Sequence, residues 1–300
     1  MTSEVCGTDD GVCSVDQNSC FFACLKIIGF KNFVKSAACD QVEQIDNDLN
    51  TNCKAIVDEV LEIAKGNEND RIDRERWIDF RIGNGTIYVW TKNDERLIQF
   101  DYLLFIVNAL LVWGLEQRLP MKGVLAFGDL FSGGEKKPGD LLSCVENDLI
   151  WCPDMVEAHR LEAQMNWSGV ILTRNVWSKI EREFEKGEED KRGRVMRSWN
   201  IKSAKELFNP FSYLIRYDRG GAIAINWNYD TSRELTEDKI RKAFEGPCVQ
   251  FDGDVNGNLC ETLKFFEHTQ WIARLRELKR KAQIEGRALG LSDLIIKKEA

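Results

Sequence analysis

Three hundred residues, 43% of them hydrophobic and only 5 of them proline, carry enough apolar surface for one large folded unit or two small ones and exclude a disordered polymer. A formal net charge of −8 argues against a dedicated nucleic-acid binder, because phosphate backbones recruit basic surfaces, but it leaves open small nucleotides, which need only a local positive patch. No apolar run reaches the roughly 18–20 residues of a membrane span, and Met1 to Val15 is polar and acidic, unlike a secretory signal, so a cytoplasmic setting is expected.

In chain order, the first strand is expected at Cys20 to Ile28, ending at Gly29-Phe30. A helix follows from about Cys39 to Lys65, with Val42, Ile45, Leu49, Ile56, Val60 and Leu61 at mostly helical spacing. Two short strands, Trp77 to Ile82 and Thr86 to Trp90, flank Gly83-Asn84-Gly85, and Asn-Gly between alternating apolar runs predicts a hairpin because both residues tolerate positive φ. A second helix runs from about Leu97 to Gln117 and stops before Pro120. Gly123 to Phe131 reads as a strand and Ser132 to Gly139 as a loop. Asp148 to Trp151 is a short strand, Pro153 opens a helix reaching about Asn166, Val170 to Leu172 is a strand and Val176 begins another helix.

This order, β-α-β-β-α-β followed by β-α-β-α, implies an α/β (α+β) protein with a ferredoxin-like or palm-like core. The charged run Glu181 to Arg197 marks a candidate boundary, giving a domain over 1–190 and a C-terminal extension over 191–300 packed on it. That extension holds a hairpin, Tyr213 to Arg216 with Ala222 to Trp227, a helix at Thr236 to Phe244 and a long helix from Leu259 to Leu278. Its basic stretch, Arg274 to Lys281, reads as a solvated helix face, with an acidic partner as the alternative. Ten cysteines invite a zinc reading, but no C-x-x-C pair occurs and only His159 and His268 are present, so reduced and mostly buried thiols are expected.

Four segments, in order, resemble the catalytic domain of class III adenylyl and guanylyl cyclases over about residues 18–185. They are Phe22 to Phe30, the hairpin Arg81 to Gly85, Met121 to Gly128, and Cys152 to Glu162. The later Ala222 to Trp227 is similar to the tail of stand-alone bacterial cyclase-like proteins, among them the pyrimidine cyclases of Pycsar anti-phage defence. The resemblance implies a homodimer with sites at its interface, and a nucleoside triphosphate closed to a 3′,5′-cyclic monophosphate. Two Mg²⁺ or Mn²⁺ ions held by two carboxylates would serve that reaction, and an asparagine and an arginine would stabilise charge on the α-phosphate.

Against that pattern, the two carboxylate positions hold Lys26 and Asn84, the asparagine position holds Val156, and Arg160 matches the arginine. An ammonium cannot ligate a cation, and an amide oxygen is a weak neutral ligand. The base-reading positions carry Phe80 and Leu149. Two readings follow. In one, the domain is a degenerate cyclase that binds or senses a nucleotide, or regulates a protein partner, with Lys26 replacing the ion against a phosphate or an acidic neighbour. In the other, it is an active cyclase, of a pyrimidine triphosphate for example, with displaced metal ligands, for which Asp79 and Asp129 are the candidates. Ser132-Gly133-Gly134-Glu135 is similar to the Gly-Gly-Asp/Glu turn of diguanylate cyclases but reads better as a flexible loop, whose Lys136 can touch phosphates. The plainer readings are a strand-end Lys26 reaching solvent, an Asn84 chosen by the turn, and an Arg160 paired on its own helix with Glu157 or Glu162.

Overall fold

The computed structural model describes residues 18–66, 78–91, 97–132, 150–151, 153–185, 214–217, 222–227 and 235–285. β1 (Asn18–Ile27) is apolar on both faces, with Phe21, Phe22, Ala23, Cys24, Leu25 and Ile27 all buried, and such a strand must lie inside a sheet. It pairs antiparallel with β3 (Thr86–Thr91) on one side and β4 (Met121–Ser132) on the other. β2 (Ile78–Gly83) flanks β3. On the far side, β6 (Gly169–Leu172) joins β4 in parallel, followed by β8 (Ala222–Ile225) and β7 (Leu214–Tyr217), both antiparallel. The order is β2-β3-β1-β4-β6-β8-β7, with the two-residue β5 (Ile150–Trp151) pairing β4. Its first four strands have the order expected of the β-α-β-β-α-β core.

The hairpin turn between β2 and β3 has Asn84 at φ 52 and Gly85 at φ 68, the pair of positive values that a two-residue turn requires. A Cβ on Gly85 would lie 2.2 Å from the Phe30 ring, so only glycine fits there.

Because side chains alternate along a strand, β1 presents two different faces. Phe21 meets Phe100 of α3 (Leu97–Glu116) at 4.7 Å between ring centroids. α3 is buried nearly throughout and packs with the long α2 (Cys39–Gly66) on that face. α3 ends on Arg118 at φ 60, and the amide of Leu119 reaches back to the carbonyl of Gly114 at 2.7 Å, a Schellman-type stop. Cys24 faces the other way, toward α4 (Pro153–Gln164), which crosses over between β4 and β6. α5 (Arg174–Glu185) follows β6.

One short helix, α1 (Phe30–Ser36), has no counterpart in the sequence reading. Seven residues are too few for a periodic signal, and packing holds it: Phe30 and Phe33 are buried, and the side-chain amide of Asn32 donates to the carbonyl of Phe251 at 3.0 Å. Residues 235–285 form α6 (Glu237–Ala243), a 3₁₀ turn (Val249–Phe251) and α7 (Val255–Ile284). They lie against the core. Phe265 stacks on Trp167 at 4.2 Å, the hydroxyl of Thr262 accepts from the amide of Ser168, and the carbonyl of Cys248 sits over Gly29. The expected boundary near residue 190 falls outside the described residues. Among the described residues, no helix is long and apolar enough to cross a membrane.

Candidate functional site

α4 is amphipathic at close range. Met155, Ala158 and Glu162 turn to the sheet and His159 is half-buried, whereas Val156, Glu157 and Arg160 turn to solvent. The buried Glu162 meets two lysines from adjacent strands. Its Oε1 lies 3.1 Å from Lys122 Nζ and its Oε2 lies 3.7 Å from Lys26 Nζ. Lys122 and Lys26 are opposite each other in the β1–β4 ladder, so the register sets the two ammonium groups side by side. Lys122 also donates to the carbonyl of Met165 at 3.0 Å. The Glu162 side chain is 5% exposed against 36% for Lys26, so the carboxylate is the internal member and Lys26 the outward one. A buried carboxylate needs such pairing, and two ammonium groups on it leave a local charge of about +1.

His159 extends the cluster. Its Nδ1 is 4.0 Å from Cys24 Sγ, and its ring meets Tyr88 edge-on at 6.4 Å. Burial, helped by the Glu162 charge, pushes the Cys24 thiol up to about 12, so it is protonated and not nucleophilic at neutral pH. Burial likewise raises the Tyr88 hydroxyl to about 12. Burial is also the main influence on His159, lowering it below its ordinary value and keeping the imidazole neutral.

The predicted site residues separate into groups. Lys26 and Asn84 come to the same end of the sheet: Lys26 is opposite Thr86, and the amide of Ile27 donates to the carbonyl of Gly85 at 3.0 Å. Asn84 itself is exposed at the hairpin tip. Asp79 is four residues away along β2, opposite Trp90, on the order of 13 Å from that end, and its Oδ1 accepts from the amide of Phe80 at 3.0 Å. Asp129 is opposite Ser19, seven ladder steps from the Lys26–Lys122 pair, or about 23 Å. Phe80 is half-buried in β2, opposite Val89. Arg160 makes a bidentate pair with Glu157 on the exposed face of α4, at 2.7 and 2.6 Å. Lys136 and Leu149 lie outside the described residues.

The sequence reading missed Glu162 and Lys122 as members of the site. The signal was available for Glu162, which stands at i+3 from His159 on one face of an amphipathic helix. The residues present do not fit a divalent ion here. Two ammonium groups would repel it, the one carboxylate is already paired, and Asn84 offers a single neutral oxygen. Among the described residues, no three His, Cys, Asp or Glu side chains converge on a metal-sized space.

No protein-family model matches this chain, and no curated protein matches it. Two solved structures, each of a bacterial light-regulated adenylyl cyclase, align over 56% of the chain. The first has a TM-score of 0.39 at 12% identity, the second 0.34 at 14%. The aligned region spans 46% of the first of those chains, less than half its length, and 81% of the second. Likeness at this level carries no argument about chemistry, and the site has to be read from its own residues.

Proposed function

We propose that this chain is a degenerate cyclase-like protein that binds a nucleotide and acts by sensing or regulation, without metal-dependent turnover. One observation carries the reading: the position that resembles a metal carboxylate holds Lys26, and its ammonium is paired with the buried Glu162. The positive charge of a side chain thus stands where an ion's charge would be needed. Lys122 holds Glu162 at the shorter distance, and Lys26 keeps about a third of its surface in water, so Lys26 can meet a phosphate from outside while the internal pair persists. A nucleoside triphosphate is the ligand class, a homodimer the assembly and a protein partner a further expectation. A bacterial signalling or anti-phage setting rests on the sequence resemblance alone.

The test is turnover and binding on one preparation. Purified protein is incubated with ATP, GTP, CTP and UTP and Mn²⁺, and products are read by mass. Thermal unfolding is followed with each nucleotide, for the native chain and for Lys26→Ala. The expected result is no cyclic monophosphate, and an upward shift with at least one nucleotide that Lys26→Ala removes. A cyclic product that Arg160→Ala abolishes would establish an active cyclase, with Mg²⁺ or Mn²⁺ on ligands other than those described. Absence of both product and shift would overturn nucleotide binding altogether.

A further inference from the structure

On the side of the sheet away from Glu162, α2 carries Gln41, Gln44, Asp48 and Asn52 at spacings of three and four residues, which places them in one stripe. Ile45 lies in the same stripe and turns its apolar side chain inward. Across from it, the end of α3 contributes Trp113 and Gln117, and the left-handed turn at Arg118 carries Leu119 to the same place. Phe33 of α1 and Pro247 of the C-terminal segment complete a groove of about 390 Å³. That volume suits a small molecule. Its walls come from four separate parts of the chain, with Pro247 contributed by residues 235–285.

The lining decides the ligand. Asp48, an exposed residue, is the one charged side chain among the described residues that line the groove. Asn52, one turn further on, also lines the groove, and its side-chain amide donates to the backbone carbonyl of Asp48 at 2.7 Å. Gln41 accepts from the amide of Ala38 at 3.3 Å, capping α2, and is left with donor capacity. A carboxylate among uncharged amide side chains attracts a positively charged donor and repels a phosphate.

We propose that this groove binds a small organic cation, a primary amine or guanidinium, through Asp48. The site is distinct from the Lys26–Glu162 cluster and opposite to it in charge, so it neither needs nor tests nucleotide binding.

The experiment is calorimetric titration of the full chain with agmatine, which carries both an amine and a guanidinium. It is repeated on Asp48→Asn and on Asp58→Asn, an exposed carboxylate further along the same helix. Binding by the native chain, weakened at least tenfold by Asp48→Asn and unchanged by Asp58→Asn, is expected. No binding at millimolar agmatine, binding unaltered by Asp48→Asn, or equal losses in both variants would each overturn the proposal, the last by reducing it to attraction toward an acidic chain.

Discussion

The two faces of β1 are closed by different physics. On the α3 face, Phe21, Ala23, Leu25 and Ile27 are buried against an apolar helix, and the contact is area removed from water. On the α4 face, Phe22 is buried beside Cys24 and Lys26, and Met155 and Ala158 turn inward, but Cys24 and Lys26 also meet His159 and Glu162, which adds paired charge and hydrogen-bonding groups to the contact. Area is tolerant of which apolar residue supplies it, whereas a buried pair is tolerant of almost nothing, because one missing partner leaves the other unsatisfied. The α3 face therefore makes the fold and the α4 face makes it particular to this protein.

The comparison is broken most directly on the apolar side. Phe21 is fully buried and its ring touches those of Phe100 and Phe127. Phe21→Ala should lose roughly 3–5 kcal/mol of stability, read from the midpoint of denaturant unfolding. A loss below about 1 kcal/mol would mean that this face is not closely packed.

On the polar side, Glu162→Gln keeps the shape and removes the charge, leaving Lys26 and Lys122 facing each other. Both lysines retain some solvent, so the loss should be about 2 kcal/mol, short of what a fully enclosed pair would show. Lys26→Met should cost less than Glu162→Gln, since Lys122 still holds the carboxylate at the shorter distance. The reverse order would place Lys26, and not Lys122, as the main partner of Glu162.

The same face should respond to acid. The groups around His159 are Cys24 and Lys26 on β1, Tyr88 on β3 and Glu162 on its own helix. Its pKa is lowered on folding, chiefly by burial, so the unfolded chain takes up a proton more readily than the folded one. The stability that His159 contributes is complete above its unfolded value of about 6.5 and is lost as pH falls through the lower folded value. Melting curves of native protein and His159→Gln between neutral and mildly acidic pH should show the native chain losing more. Parallel curves would remove His159 from the α4 contact.

How much of this was legible in the sequence follows from the range of each signal. The Asn84-Gly85 turn, the alternation of β3 and the mostly apolar character of α3 are local, and the elements appeared where they were expected. α1 was invisible because it is held by Gly85, Phe251 and the Cys248 carbonyl, which are distant in the chain. The charge cluster around Glu162 was only partly legible. Lys26 and Asn84 could be named from their motifs. Glu162 becomes the neighbour of Lys26 only through the register that sets Lys26 beside Lys122 and through the packing of α4 on both. Register also separates Asp79 and Asp129 from that end of the sheet, a distance that no motif spacing encodes.

The smallest effect on stability belongs to Arg160, and it sharpens the comparison within a single helix. Arg160 and Glu157 form their bidentate pair on the exposed face of the helix, beside the face that carries His159 and Glu162. Solvent competes for both partners, and the exposed pair gives the fold almost nothing. Arg160→Ala should leave the thermal midpoint where it was, at low and high salt alike, while Glu162→Gln on the inner face lowers it. Val156, exposed one turn earlier, shares this outer surface with Arg160. If Arg160→Ala does lower the midpoint, and does so more at higher protein concentration, then the outer face of α4 is covered in solution by a second copy. The contrast between its two faces would then be one between an internal contact and an intermolecular one.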